Sequence, residues 1–172
     1  MKGNMILIGF MGAGKTTVGK ALAERSGWPL LDTDQLIIEK AGMTIPEIFE
    51  QSGEEGFRRI ESEVLAELLE QTDHTVISVG GGLPLREENR AVLSRLGTVV
   101  YLDVSEATVW NRLKDETDRP LLKVENVRAK IREMLTYRRP IYEQAAHITI
   151  SVDEKNPGQI AAEVEEKAGV RR

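Results

Sequence analysis

Gly9-Phe10-Met11-Gly12-Ala13-Gly14-Lys15-Thr16 matches the pattern G-x-x-x-x-G-K-[ST] in full, and its surroundings decide the fold. The apolar run Met5-Ile6-Leu7-Ile8 precedes it and an amphipathic stretch, Thr17–Arg25, follows. Strand, glycine-rich loop and helix in that order form the setting in which this pattern binds phosphate. The glycines let the backbone curl, so successive N–H groups converge on one anionic point at a helix N-terminus. In that arrangement Lys15 reaches the β- and γ-phosphates of a nucleoside triphosphate, and the Thr16 hydroxyl serves Mg²⁺. The plain alternative is a Gly-rich turn before an ordinary helix.

Working outward, β-rich runs recur at Pro29–Asp32, Thr75–Val79, Thr98–Asp103 and His147–Ser151. Between them, Gly53–Glu70, Glu87–Arg95 and Glu106–Lys114 carry apolar residues at helical spacing. Strands separated by helices imply right-handed crossovers and a parallel sheet covered on both faces. Capping boxes are expected at Thr44–Glu47 and Ser52–Glu55. Asn156-Pro157 opens a last helix that ends near Gly169. Asp34–Gln71, expected to hold several short helices, is more than a simple crossover needs and reads as a second-substrate region. Lys114–Val124, with Arg119-Pro120 at its middle, reads as a lid.

The composition agrees with one α/β domain. The chain has 172 residues, 41% hydrophobic and 30% charged, with a net charge of −5. An acidic balance speaks against a nucleic-acid partner. With no cysteine, disulfides, thiolate metal sites and a Cys nucleophile are excluded. No apolar run reaches membrane-spanning length. The expectation is a cytoplasmic monomer.

Several residues carry chemistry. Asp32 and Asp34, two apart at the end of an extended run, are expected to face the crevice beyond the strand's carboxyl end. One suits Mg²⁺ held through water and the other a substrate hydroxyl; helix capping is the competing role for Asp34. Arg58 and Glu61 are helical neighbours, so Glu61 can hold a guanidinium that grips an anion, unless both form a surface ion pair. Gly80-Gly81-Gly82 ends the third strand, where three glycines imply close approach of a ligand to backbone N–H donors, or a flexible turn. A Walker-B Asp is absent from that pole, which shifts metal duty toward Asp32. Arg119 suits charge stabilisation over a transferring phosphoryl group. Pro140 removes a helix hydrogen bond, and a bend there would aim Arg138 at the same pocket. For both arginines a solvated surface charge is the alternative.

In this order the motifs resemble the shikimate kinase family across nearly the whole chain. They are the loop through Thr17, Asp32-Thr33-Asp34, Phe57-Arg58-Arg59-Ile60-Glu61, Gly80-Gly81-Gly82, Arg119-Pro120-Leu121 and Arg138-x-Pro140-x-Tyr142. The resemblance implies a three-layer P-loop fold like that of nucleoside monophosphate kinases, with a five-stranded parallel sheet in order 2-3-1-4-5. Residues 33–61 would form a substrate-binding region and 114–124 a lid. It implies phosphorylation of the shikimate 3-hydroxyl by ATP with Mg²⁺, in aromatic amino acid synthesis. Gly12, Ala13, Gly14, Lys15, Thr16 and Thr17 would hold the nucleotide, with Arg119 on the phosphates and Arg112 and Pro157 flanking adenine. Asp34, Arg58, Gly80, Gly81, Gly82 and Arg138 would bind shikimate. Lys15, Asp34 and Arg119 would be catalytic, Thr16 would coordinate Mg²⁺ directly and Asp32 through water. A GTP-dependent switch would carry D-x-x-G and N-K-x-D, and neither occurs. Nucleoside monophosphate kinases, gluconate-type kinases and an inactive ATP sensor are the other readings.

Overall fold

Five short strands are parallel in the order β2-β3-β1-β4-β5, as expected. They are β1 (Asn4–Ile8), β2 (Leu30–Asp32), β3 (Val76–Ser78), β4 (Gly97–Asp103) and β5 (Ile148–Ser151). The computed structural model describes residues 2–114 and 124–169. β1 lies at the centre, paired with β3 on one side and β4 on the other. All five of its residues are buried, which is why it reads as an unbroken apolar run and not an alternating one.

The helices are α1 (Lys15–Ser26), α2 (Thr33–Ala41), α3 (Ile45–Gln71), α4 (Glu87–Leu96), α5 (Glu106–Leu113), α6 (Val124–Ala145) and α7 (Pro157–Ala168). α1 and α7 pack together on one face of the sheet, and α4 and α6 cover the other. That makes three layers. Buried Asn4 closes the pole opposite the loop: its amide donates to the Leu96 carbonyl and its oxygen accepts from the Thr75 N–H.

Helix starts follow the sequence closely. Thr44 and Glu47 form the expected capping box; Asn156, expected as a cap before Pro157, also forms a box with Gln159 at the start of α7. The box expected at Ser52 does not form. Gly53 instead takes a left-handed φ of 65° inside one 27-residue run. The expected short helices after Asp34 are α2 and two helical segments that meet at Gly53, whose φ of 65° and ψ of −173° interrupt the helix at the residue with least penalty there.

The Asp32–Asp34 geometry also differs from the expectation. The strand stops at Asp32, and α2 begins at Thr33. Asp32, not Asp34, is the cap: its Oδ1 accepts from the N–H groups of Asp34 (2.9 Å) and Gln35 (3.3 Å). The two carboxylates share the crevice because a helix starts between them, not because an extended chain repeats every second residue.

Candidate active site

The glycine loop sits between β1 and α1, at the carboxyl end of the sheet. Gly12 and Gly14 take φ values of 80° and 85°, which L side chains adopt only at a cost. At Gly9 the limit is space: a Cβ there would lie 2.8 Å from the Leu102 carbonyl oxygen on β4. The Lys15 ammonium bends back onto the loop, donating to the carbonyls of Gly9 (2.6 Å) and Phe10 (3.1 Å). Burial lowers its pKa to about 8, against the pull of Asp34 and Asp32 and with some help from Arg138.

A cavity of about 760 Å³ opens beside this loop. Gly12, Ala13, Gly14, Lys15, Thr16 and Thr17 line one side; Asp32, Asp34, Gly80, Gly81, Gly82 and Arg138 line the other. Arg112 and Pro157 stand at a third edge, and Arg112 hydrogen-bonds the Gly12 carbonyl. Arg58 does not line the cavity. Its guanidinium packs behind Gly82 at the rim. Arg119 lies outside the described residues, as does most of the expected lid.

Gly80 and Gly82 have a physical reason that the sequence conceals. Neither needs a left-handed backbone. A Cβ at Gly80 would sit 2.9 Å from Asp34 Oδ1 and 3.4 Å from Glu61 Oε2; one at Gly82 would sit 2.6 Å from Arg58 Nη1. The glycines make room for a carboxylate and a guanidinium. The expected row of ligand-facing donors is correspondingly reduced, because the Gly80 N–H donates to buried Thr33 Oγ1 at 3.0 Å.

Arg58 and Glu61 are no surface pair. Arg58 Nη1 donates to Glu61 Oε1 at 2.8 Å, with Glu61 only 1% exposed. Glu61 Oε2 is buried without a hydrogen-bond partner among the described residues. Burial raises the Glu61 pKa, and the Asp34 charge adds to this against Arg58. Asp34 is also raised, first by burial and then by Asp32, against Lys15 and Arg58. On the far wall the Arg138 guanidinium lies 5.6 Å from the centroid of the Phe10 ring, a favourable cation–π distance.

Some participants were not singled out from sequence. Thr33 was hidden between its acidic neighbours. Lys155, which lines the cavity beside Pro157, immediately precedes the Asn156-Pro157 cap and went unused. Asp153 accepts from Thr108 Oγ1 (2.7 Å) and the Ser105 N–H (3.2 Å), tying the Arg112 helix to the loop before α7. Nothing local in the sequence announces that clasp.

A 2-3-1-4-5 parallel sheet with a complete phosphate loop and a cationic, carboxylate-bearing pocket facing it defines a P-loop kinase acting on a small molecule. Comparison with known proteins narrows this further. A family model described as Shikimate kinase matches residues 11–168. The Symbiobacterium thermophilum shikimate kinase is 45% identical over 166 residues, covering 95% of each chain. The Acinetobacter baumannii shikimate kinase, solved in complex with shikimate, superposes with a TM-score of 0.86 at 41% identity, covering 97% of this chain and 93% of that one. The Aquifex aeolicus shikimate kinase gives a TM-score of 0.82 at 37% identity, covering 97% and 99%. The chain belongs to the shikimate kinase family. Among the described residues, no helix is long and apolar enough to cross a membrane.

Proposed function

We propose that this chain transfers the γ-phosphoryl group of ATP to the 3-hydroxyl of shikimate, giving shikimate 3-phosphate and ADP. The observation that carries the reading is the pairing across one cavity. A phosphate loop with Lys15 shares the cavity with Asp34, the Gly80–Gly82 turn and Arg138, and the Arg58 guanidinium packs against Gly82 of that turn. The nucleotide lies along Gly12–Thr17, with adenine between Arg112 and Pro157. A small hydroxy acid fits the other wall, its carboxylate between the two guanidinium groups and its hydroxyls on Asp34.

Phosphoryl transfer asks little covalent chemistry of the protein; positioning and charge stabilisation do the work. Asp34 orients the attacking hydroxyl. Its raised pKa marks a carboxylate that accepts a proton more readily than an exposed one. Lys15 exchanges its loop carbonyls for phosphate oxygens and balances charge on the transferring group. The family resemblance gives Arg119 the same task.

The residues present suit Mg²⁺. Thr16 and Asp32 offer hard oxygen donors in one cavity. Asp32 commits Oδ1 to the helix cap, leaving Oδ2 for a metal-bound water. No cluster of three acidic or His ligands occurs among the described residues, as fits an ion held largely by phosphates and water. When bound, the ion neutralises β- and γ-phosphate charge. An acidic chain without cysteines supports a cytoplasmic enzyme.

ADP release measured with shikimate, gluconate and nucleoside monophosphates as acceptors tests the assignment. Shikimate-dependent turnover far above the other acceptors is expected. Turnover with a nucleoside monophosphate or gluconate in its place would overturn it.

A further inference from the structure

Tyr142 is fully buried, sits on α6 one turn after Arg138, and has no part in the chemistry described so far. Its hydroxyl donates to the Gly81 carbonyl at 2.6 Å, 61 residues away in sequence. The Arg138 guanidinium lies close to the same phenol, its charge opposing the burial that raises the Tyr142 pKa. A Cβ built on Gly81 would lie 3.4 Å from Arg138 Nη1 and 3.7 Å from the Tyr142 hydroxyl, so all three groups meet at one point. The ring is held from behind by Tyr101 of β4, centroids 5.2 Å apart.

The bonded carbonyl has a second consequence. The Gly81 C=O and the Gly82 N–H belong to one planar trans peptide, so they point in opposite directions. Holding the carbonyl toward Tyr142 on α6 fixes the Gly82 N–H in the opposite direction, away from α6. A glycine-rich turn has many peptide orientations available, and the phenol selects one.

We infer that Tyr142 is a positioning residue for the acid substrate: its hydroxyl locks the Gly81–Gly82 peptide and the Arg138 guanidinium in one arrangement, presenting the Gly82 N–H and Arg138 together to the shikimate carboxylate. This rests on the proposed shikimate kinase activity. Tyr142 touches neither reacting group and acts only through Gly82 and Arg138.

Tyr142→Phe keeps the ring and removes the hydroxyl. Its KM for shikimate is expected to rise roughly tenfold, the scale of one hydrogen bond lost from a buried partner. Its KM for ATP should stay within about twofold, because the nucleotide loop makes no bond to Tyr142. Tyr101→Phe, which loses only a 3.2 Å bond to Asp103, is the control: a lower Tm with both KM values unchanged. A wild-type KM for shikimate in Tyr142→Phe, or equal rises in both KM values, would overturn the inference. If Tyr142→Phe does not fold, amide exchange in the wild-type protein decides: the Gly82 N–H should slow on adding shikimate and not on adding ATP. An unchanged Gly82 rate would overturn it. A wild-type protein inactive on shikimate would instead defeat the underlying assignment.

Discussion

Arg58→Met separates the structural and binding duties of the Arg58–Glu61 pair. The substitution keeps most of the aliphatic stem but leaves Glu61, 1% exposed, without its 2.8 Å partner. The other Glu61 oxygen already lacks a hydrogen bond among the described residues, and Glu54, 3.7 Å from Arg58 and 72% exposed, contributes little. Breaking a buried pair from one side costs about 3–5 kcal/mol, a large part of a typical total of about 5–15 kcal/mol. For a chain of this size each kcal/mol shifts Tm by about 2–4 °C, so a drop of roughly 6–20 °C is expected near pH 8. The sign with pH follows from linkage. Without Arg58, burial and the Asp34 charge both raise the Glu61 pKa, so folded Glu61 binds a proton more readily than unfolded Glu61. The deficit is therefore smallest below the unfolded carboxylate pKa, about 4.3, and grows as pH rises through the folded value. Thermal unfolding of wild type, Arg58→Met and Arg58→Met/Glu61→Gln at pH 5 and pH 8 reads this directly. The double variant should regain most of the Tm at pH 8 while its KM for shikimate stays high. A deficit equal at both pH values, or a double variant no more stable than the single, would refute the unpaired-carboxylate reasoning.

Lys15→Ala should lower kcat by at least about 100-fold without lowering Tm at pH 7. The folded pKa near 8 lies below the unfolded value, so the ammonium's burial costs stability below pH 8 and the cost fades as pH rises toward about 10.4; a clear fall in Tm would contradict this. Gly80→Ala places a methyl 2.9 Å from Asp34 Oδ1, an overpacking of about 1–3 kcal/mol. Steady-state kinetics should show the KM for shikimate rising roughly 5- to 150-fold with the KM for ATP unchanged, and equal effects on both would count against the space argument. A carbon-13 titration of the Asp34 carboxyl should run above the ordinary aspartate value of about 3.9 and fall in Asp32→Asn, since the Asp32 charge adds to the rise that burial causes. No movement in that variant would show that the two carboxylates do not interact.

The sheet was legible almost to the residue because the inner strands β1, β3 and β4 are apolar runs buried on both faces, and the less buried β2 and β5 are short β-rich runs too. The loop was legible because its backbone conformation and its phosphate chemistry demand the same residues. Where the reading failed, residues met across the sheet. Asp32 and Asp34 were placed together for the wrong reason, since a helix start two residues earlier than expected looks identical in sequence. Gly80–Gly82 were read as donors to a ligand without the second reason for two of them: Gly80 and Gly82 also leave room for Asp34 and Arg58, side chains 46 and 24 positions away. Glu61 was recognised as the partner of Arg58, but its carboxylate also lies against Gly80, 19 positions on, which no local pattern near residue 61 reports. Tyr142 was part of a motif without a role, because its partner lies on another strand's loop.

A crystal structure with ADP and shikimate bound examines the central arrangement most directly. The shikimate carboxylate should lie between the Arg58 and Arg138 guanidinium groups, with the 3-hydroxyl within hydrogen-bond distance of Asp34 and turned toward the phosphate end of ADP beside Lys15. Shikimate bound with its carboxylate away from both arginines, or with a different hydroxyl facing the phosphates, would contradict the account.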